Sequence, residues 1–175
     1  EAVTVARNGL ACCDGYGQGA VLIDFDHANV TRYPEGFQNP GRVGIHSYLS
    51  KDGTELVWAE HASGGRETDS YRIVYRNLLS GEEHVIVEND DPTVKQNDFP
   101  VVEAGVVFWE RAMVTADPNA YWRTTGYWKV GDAKPTFWNR TVGQIRFTPY
   151  GLLGNGFPDN VPALPAPNLL FPYPD

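Results

Sequence analysis

The chain is poor in cysteine. Two occur in 175 residues, and they are neighbours, Cys12 and Cys13 in "LACCDGYG". A disulfide framework or a closed zinc site needs several spaced thiols, so neither organises this fold. The pair itself leaves three readings open: two reduced thiols, a strained vicinal disulfide, or links to other chains. Long apolar runs are also missing. None nears the ~20 residues that cross a bilayer as a helix, so no membrane span is expected. Clustered positive charge is missing too. The formal net charge is −8 and the Lys and Arg are scattered, which argues against nucleic acid as a partner. No H-E-x-x-H, G-x-S-x-G, P-loop or dinucleotide fingerprint occurs. The four histidines, His27, His46, His61 and His84, stand in no ligand spacing. Helical patterning is absent as well: "SGEEHVIVEND" opens like a helix start and turns β-branched at once.

What the chain has is aromatic and β-branched residues cut up by turn formers. Five Trp, nine Tyr and eight Phe stand among 18 Gly and 13 Pro. That mixture predicts an all-β protein with many short turns.

The sequence also repeats. "HSYLSKDGTELVWAE" from His46 aligns without a gap on "NDFPVVEAGVVFWER" from Asn97. Trp58 falls on Trp109, Val57 on Phe108, Leu56 on Val107 and Tyr48 on Phe99. Both copies read as strand, tight turn, strand, with Gly53 or Gly105 supplying the positive φ of the turn. The match continues from "YRIVYRNLLSGEEHVIVEN" to "RTTGYWKVGDAKPTFWN", where Tyr75 meets Tyr127 and Gly81 meets Gly131. Four antiparallel strands in about 50 residues is the length of a propeller blade. Partial copies flank the two full ones. "AVLIDFDHANVTRYPE" reads as two outer strands turning at "DHAN", with "AVTVARNGLACC" before it as a source of an inner strand. "GQIRFTPYGLLGNGF" reads as an inner hairpin. The expectation is two full blades and two partial ones over residues 1–157. After them, residues 158–175 carry six prolines and should run as an extended tail. Val161, Leu164, Leu169, Leu170, Phe171 and Tyr173 mark that tail as a segment that packs on something.

The repeats resemble those of the TolB-like β-propeller family. In that pattern a polar residue and Asp precede a Pro, and a Gly turn leads to a Val-Val-Trp strand, as in "NDFPVVEAGVVFWER". "SKDGTELVWAE" followed by "YRIVYRNLLSGEE" carries the family's Asp-Gly turn and outer hairpin. The resemblance covers roughly residues 20–157. It implies an extracytoplasmic scaffold (secreted, periplasmic or at the cell surface) that binds proteins or glycans, some members being enzymes or accessory domains. Fold alone does not assign function.

Candidate sites are few. Asp24 and Asp26 alternate around Phe25, which suggests two carboxylates on one strand face. Such a pair suits Ca²⁺ or acid–base chemistry, but a solvated strand face beside His27 is the plainer expectation, with no cofactor or metal. Glu60, Glu103 and Glu110 are expected at exposed strand ends. Trp58 and Trp109 recur at equivalent positions and are expected in the core. Trp122 and Trp128 break the repeat, which makes them, with Tyr121, Phe171 and Tyr173, the candidates for a ligand or partner surface. Asn29 and Asn139 head N-x-T sequons as candidate glycan acceptors. Three functions follow: a non-catalytic exported binding or structural subunit with protein or glycan partners, including copies of itself; a carbohydrate-active hydrolase or lyase using Asp24, Asp26 or His27; or a β-barrel holding a small apolar ligand.

Overall fold

A computed structural model describes the backbone of residues 3–5, 9–13, 20–33, 42–62, 71–89, 94–95, 100–114, 121–138, 141–148, 151–157 and 168–171. It describes the side chains of residues 22–31, 47–60, 72–88, 100–109, 125–137 and 147. The described elements are all strands, arranged in four antiparallel sheets.

The first sheet runs β1 (Val3–Val5), β2 (Gly9–Cys13), β3 (Ala20–Asp24) and β4 (Asn29–Tyr33), in that order. The second runs β5 (Arg42–Leu49), β6 (Glu55–Ala62), β7 (Tyr71–Asn77) and β8 (Glu83–Asn89). The third runs β10 (Val101–Glu103), β11 (Val106–Val114), β12 (Tyr121–Lys129) and β13 (Thr136–Trp138). In it β9 (Val94–Lys95) pairs with the far end of β11. The fourth holds β14 (Thr141–Thr148), β15 (Gly151–Phe157) and β16 (Asn168–Phe171). Four consecutive meanders of this kind are the propeller-like arrangement, and the separate sheets replace the closed barrel.

Two expectations change. "AVTVARNGLACC" supplies two strands, so the first sheet is a full four-stranded blade and not a half. In the tail, Asn168–Phe171 is extended as expected but pairs with β15, Leu152 facing Phe171 and Asn155 facing Asn168. The reason is local. "NLLF" is the stretch between Pro167 and Pro172 that keeps all its backbone N–H groups, and a ladder needs them.

The two repeat copies match in strand order, and Trp58 and Trp109 are both buried, at 1% and 0% exposure. Their entering strands slide by two residues against the gapless alignment. Leu49 pairs with Leu56 across the four-residue turn Lys51–Thr54, whereas Glu103 pairs with Val106 across Ala104–Gly105 alone. Ala104 and Gly105 both have positive φ, 50° and 76°, the geometry of a two-residue hairpin turn. Tyr48 therefore corresponds to Val101 and not to Phe99. A slip of two preserves the face of every side chain, which is why the gapless match looked sound.

Alternation sends each strand's side chains to two faces, and the neighbouring sheets cover both. Toward the first sheet, Leu49, Leu56, Trp58 and Val74 pack with Leu22. Toward the third, Val57, Ile73, Tyr75 and Ile86 pack on Val102, Val107, Trp109 and Trp128. Toward the fourth, Val101 and Phe108 pack on Phe147. Each fully buried aromatic or leucine contributes about 2 kcal/mol, so these layers are the main force holding the sheets side by side.

Candidate functional site

Within a meander, the β5–β6 and β7–β8 turns lie at the same end of the sheet. That end of the molecule gathers the inner turns (Lys51–Thr54 and Ala104–Gly105) and the outer turns (Phe25–Ala28, Leu78–Glu82 and Val130–Lys134).

The inner turns are tied together by charge. Glu55 is buried, and its carboxylate accepts the Tyr75 hydroxyl at 2.8 Å and the Gly105 N–H at 2.8 and 3.1 Å from its two oxygens. Burial, reinforced by the Glu55 acceptor, pushes the Tyr75 phenol well above its usual range, so it stays a donor. The Lys51 N–H donates to Glu103 at 3.2 Å, and Lys51 Nζ donates to the Phe147 carbonyl at 3.3 Å. Residues of the second sheet thus bind both the third and the fourth.

A second buried carboxylate lies on the face toward the first sheet. Glu60, expected at the surface, is 2% exposed. Oε1 accepts the Trp58 indole N–H at 2.8 Å, and Oε2 pairs with Arg72 at 3.0 Å. A carboxylate withdrawn from water needs such partners, so Glu60 is a packing residue with its charge compensated.

The outer turns are held by short polar side chains. Asp24 Oδ1 accepts the Asp26 and His27 N–H groups, and Oδ2 contacts His27 Nδ1 at 2.8 Å. That contact lowers the Asp24 pKa and raises that of His27. Asn77 Oδ1 accepts the Leu79 and Ser80 N–H groups. Asp132 accepts the Lys129 N–H. Each turn exposes one large apolar side chain: Phe25 at 55%, Leu79 at 81% and Val130 at 43%. Val30, Val85 and Phe137 are exposed on the outer strands.

The candidates from the sequence scatter across this frame. Asp24 ends β3 and Asp26 lies in the turn after it, so the two carboxylates do not share a strand face; Asp24 is spent on capping the turn. Trp128 is 3% exposed, a correction to its place among the exposed candidates. Its ring centroid lies 5.4 Å from that of Tyr75 and 5.5 Å from that of His84, and its N–H donates to the Asp132 carbonyl. It breaks the sequence repeat because it fills the space between the second and third sheets, where its counterpart Arg76 faces the first. Tyr121 and Trp122 lie in β12, Phe171 in β16, and Cys12 and Cys13 end β2; their side chains fall outside the described residues. So do Tyr173 and Asn139 entirely. Asn29 begins β4, exposed, with Nδ2 at 3.4 Å from Thr31 Oγ1. Among the described residues no three His, Cys, Asp or Glu side chains converge as a metal site, and no helix is long and apolar enough to cross a membrane.

Sequence reasoning missed Glu55 and the outer-turn apolar set. The signal available was Leu79, a second leucine inside a polar turn, "NLLSGEE".

No family model matches the chain, and no curated protein matches it. Solved structures similar to it include an oligogalacturonate lyase in complex with manganese, 13% identical with a TM-score of 0.41, over 74% of this chain and 46% of that one. A structure from a study of two prolyl endopeptidases is 14% identical with a TM-score of 0.49, over 78% of this chain and 22% of that one. The β-propeller domain of the Trilobed protease from Pyrococcus furiosus, described as having an open velcro topology, is 8% identical with a TM-score of 0.34, over 91% of this chain and 77% of that one. The chain spans about half the length of the lyase chain it matches.

Proposed function

We propose that the chain is a non-catalytic binding or structural module of an exported, TolB-like propeller protein, acting through contacts with other proteins or glycans. The observation that carries this reading is the display of a large apolar side chain at the outer turn of three successive sheets, Phe25, Leu79 and Val130. Exposed apolar groups presented from stiff turns suit a contact surface. The buried carboxylates Glu55 and Glu60 meanwhile serve the joins between strands and sheets. Export is supported by the repeat resemblance alone.

A second reading has one observation in its favour. Asp24 and His27 form a carboxylate–imidazole couple at 2.8 Å in a surface turn, the pairing that acid–base chemistry in a hydrolase or lyase would use. Turnover separates the two. The chain is incubated with acidic and neutral polysaccharides, with and without Mn²⁺ or Ca²⁺, and new chain ends are measured. The binding-module reading expects none. Product release that disappears in Asp24→Asn and His27→Ala would replace it with the enzyme reading.

A further inference from the structure

We propose that the outer-turn end of the first three sheets docks a basic amphipathic segment of a partner protein, with Phe25, Leu79 and Val130 as its apolar anchors. The proposal deepens the binding-module reading and rests on it.

Three observations converge. The anchors stand one per sheet, at the same end of their sheets, Phe25 and Val130 first after their strand and Leu79 second. Each comes from a turn whose backbone is fixed by a side-chain acceptor, Asp24, Asn77 or Asp132, so little conformational freedom remains to be lost on binding. Their charged surroundings are mixed in sign and acidic in sum. Over residues 24–29, 50–55, 76–83, 103–106 and 129–134, eight carboxylates, one of them the buried Glu55, stand against four Lys or Arg, a formal −4. Phe25 lies between Asp24 and Asp26 and Leu79 precedes Glu82 and Glu83, while Val130 stands among Lys129, Asp132 and Lys134. Apolar anchors on an end that is acidic in sum, most so around Phe25 and Leu79, favour a partner that alternates apolar and cationic side chains over an acidic one. A second copy of this chain, itself at −8, is a poorer occupant on the same ground.

The test uses the full chain and two labelled probes, an amphipathic Lys/Leu peptide and its Glu/Leu counterpart, followed by fluorescence anisotropy. Variant one carries Phe25→Ser, Leu79→Ser and Val130→Ser. Variant two carries Asp26→Lys and Glu82→Lys. A control carries Val30→Ser and Val85→Ser on the outer strands. All substituted side chains are exposed, and circular dichroism melts check that each variant folds. The expected result is saturable, salt-sensitive binding of the Lys/Leu probe, weakened about tenfold or more in variants one and two and unchanged in the control. Failure of the wild type to bind the Lys/Leu probe, or equal binding of the Glu/Leu probe, overturns the proposal. Binding retained within about twofold in variant one places the contact elsewhere while leaving the binding-module reading intact. A doubled solution mass by light scattering that variant one abolishes overturns the proposal in favour of a second copy. The binding-module reading itself falls only to the turnover experiment above.

Discussion

The second and third sheets are two versions of one unit, and they differ most where their sequences look most alike. Trp58 and Trp109 occupy the same place in the strand that follows the inner turn. Trp58 pairs across the ladder with Val74, Trp109 with Gly126. With a side chain beneath it, the Trp58 indole turns its N–H to Glu60. With none, the Trp109 ring lies down on the Gly126 backbone, where an added Cβ would sit 2.1 Å from Cε2. Two residues beyond Trp109 the chain has Arg111 in place of an acceptor like Glu60, and the Trp109 N–H is buried with no partner among the described residues. The same tryptophan therefore serves a half-polar layer between the first two sheets and an almost wholly apolar, aromatic layer between the next two. A repeat conserves strand order and face; each interface chooses its own filler.

The contrast breaks most sharply at Gly126. Gly126→Ala should cost about 3 kcal/mol in urea unfolding, because the new methyl meets a fully buried ring with no room to give. Val74→Ala at the matching place in the second sheet should cost about 1–2 kcal/mol, the ordinary loss for shortening a core side chain. Equal effects would mean that the two tryptophans pack alike.

Next comes the tie that joins the two copies. Glu55→Ala should destabilise by about 2 kcal/mol, since it strips acceptors from the Gly105 N–H and the Tyr75 hydroxyl. Amide exchange at Gly105 should accelerate in this variant relative to amides of the first sheet, and an unaltered Gly105 rate would remove the tie.

Smaller again is the cost of each indole N–H. Trp58→Phe takes the indole donor from Glu60 Oε1 and leaves Arg72 on Oε2, while Trp109→Phe deletes a group with no acceptor among the described residues. Trp58→Phe should therefore be worse by about 1 kcal/mol after allowance for ring size.

The smallest effect compares outer turns, capped by Asp24 in the first sheet and by the uncharged Asn77 in the second. The His27 pKa is raised by its hydrogen bond to Asp24. Its contribution is therefore fully present below the ordinary histidine pKa of about 6.5 and is lost as pH rises through the raised folded value. Asp24 has a lowered pKa, so its contribution is present above the usual carboxylate value and is lost as pH falls through the lowered one. NMR titration should find His27 above 6.5, and Asp24→Asn should bring it down. His27 is exposed and Asp24 half-buried in a surface turn, and stability should hardly move.

Local chemistry made much of the fold readable. Period-two alternation marked the strands, and Gly53, Gly81, Gly105 and Gly131, all at positive φ, marked the turns. The 51-residue offset marked the equivalence of Trp58 and Trp109. These properties belong to the backbone and its nearest neighbours, so the residues state them without help. Which surface covers which face is another matter. Trp128 read as a candidate for a ligand or partner surface and lies in the core; Glu60 read as a surface carboxylate and is buried against Trp58 and Arg72; Leu79, which the sequence did not single out, is the most exposed of the large apolar side chains described. Alternation says that two residues share a face, and it is silent on what packs there. Only the docking of one sheet on the next could decide whether that face meets water, a ring or a charge.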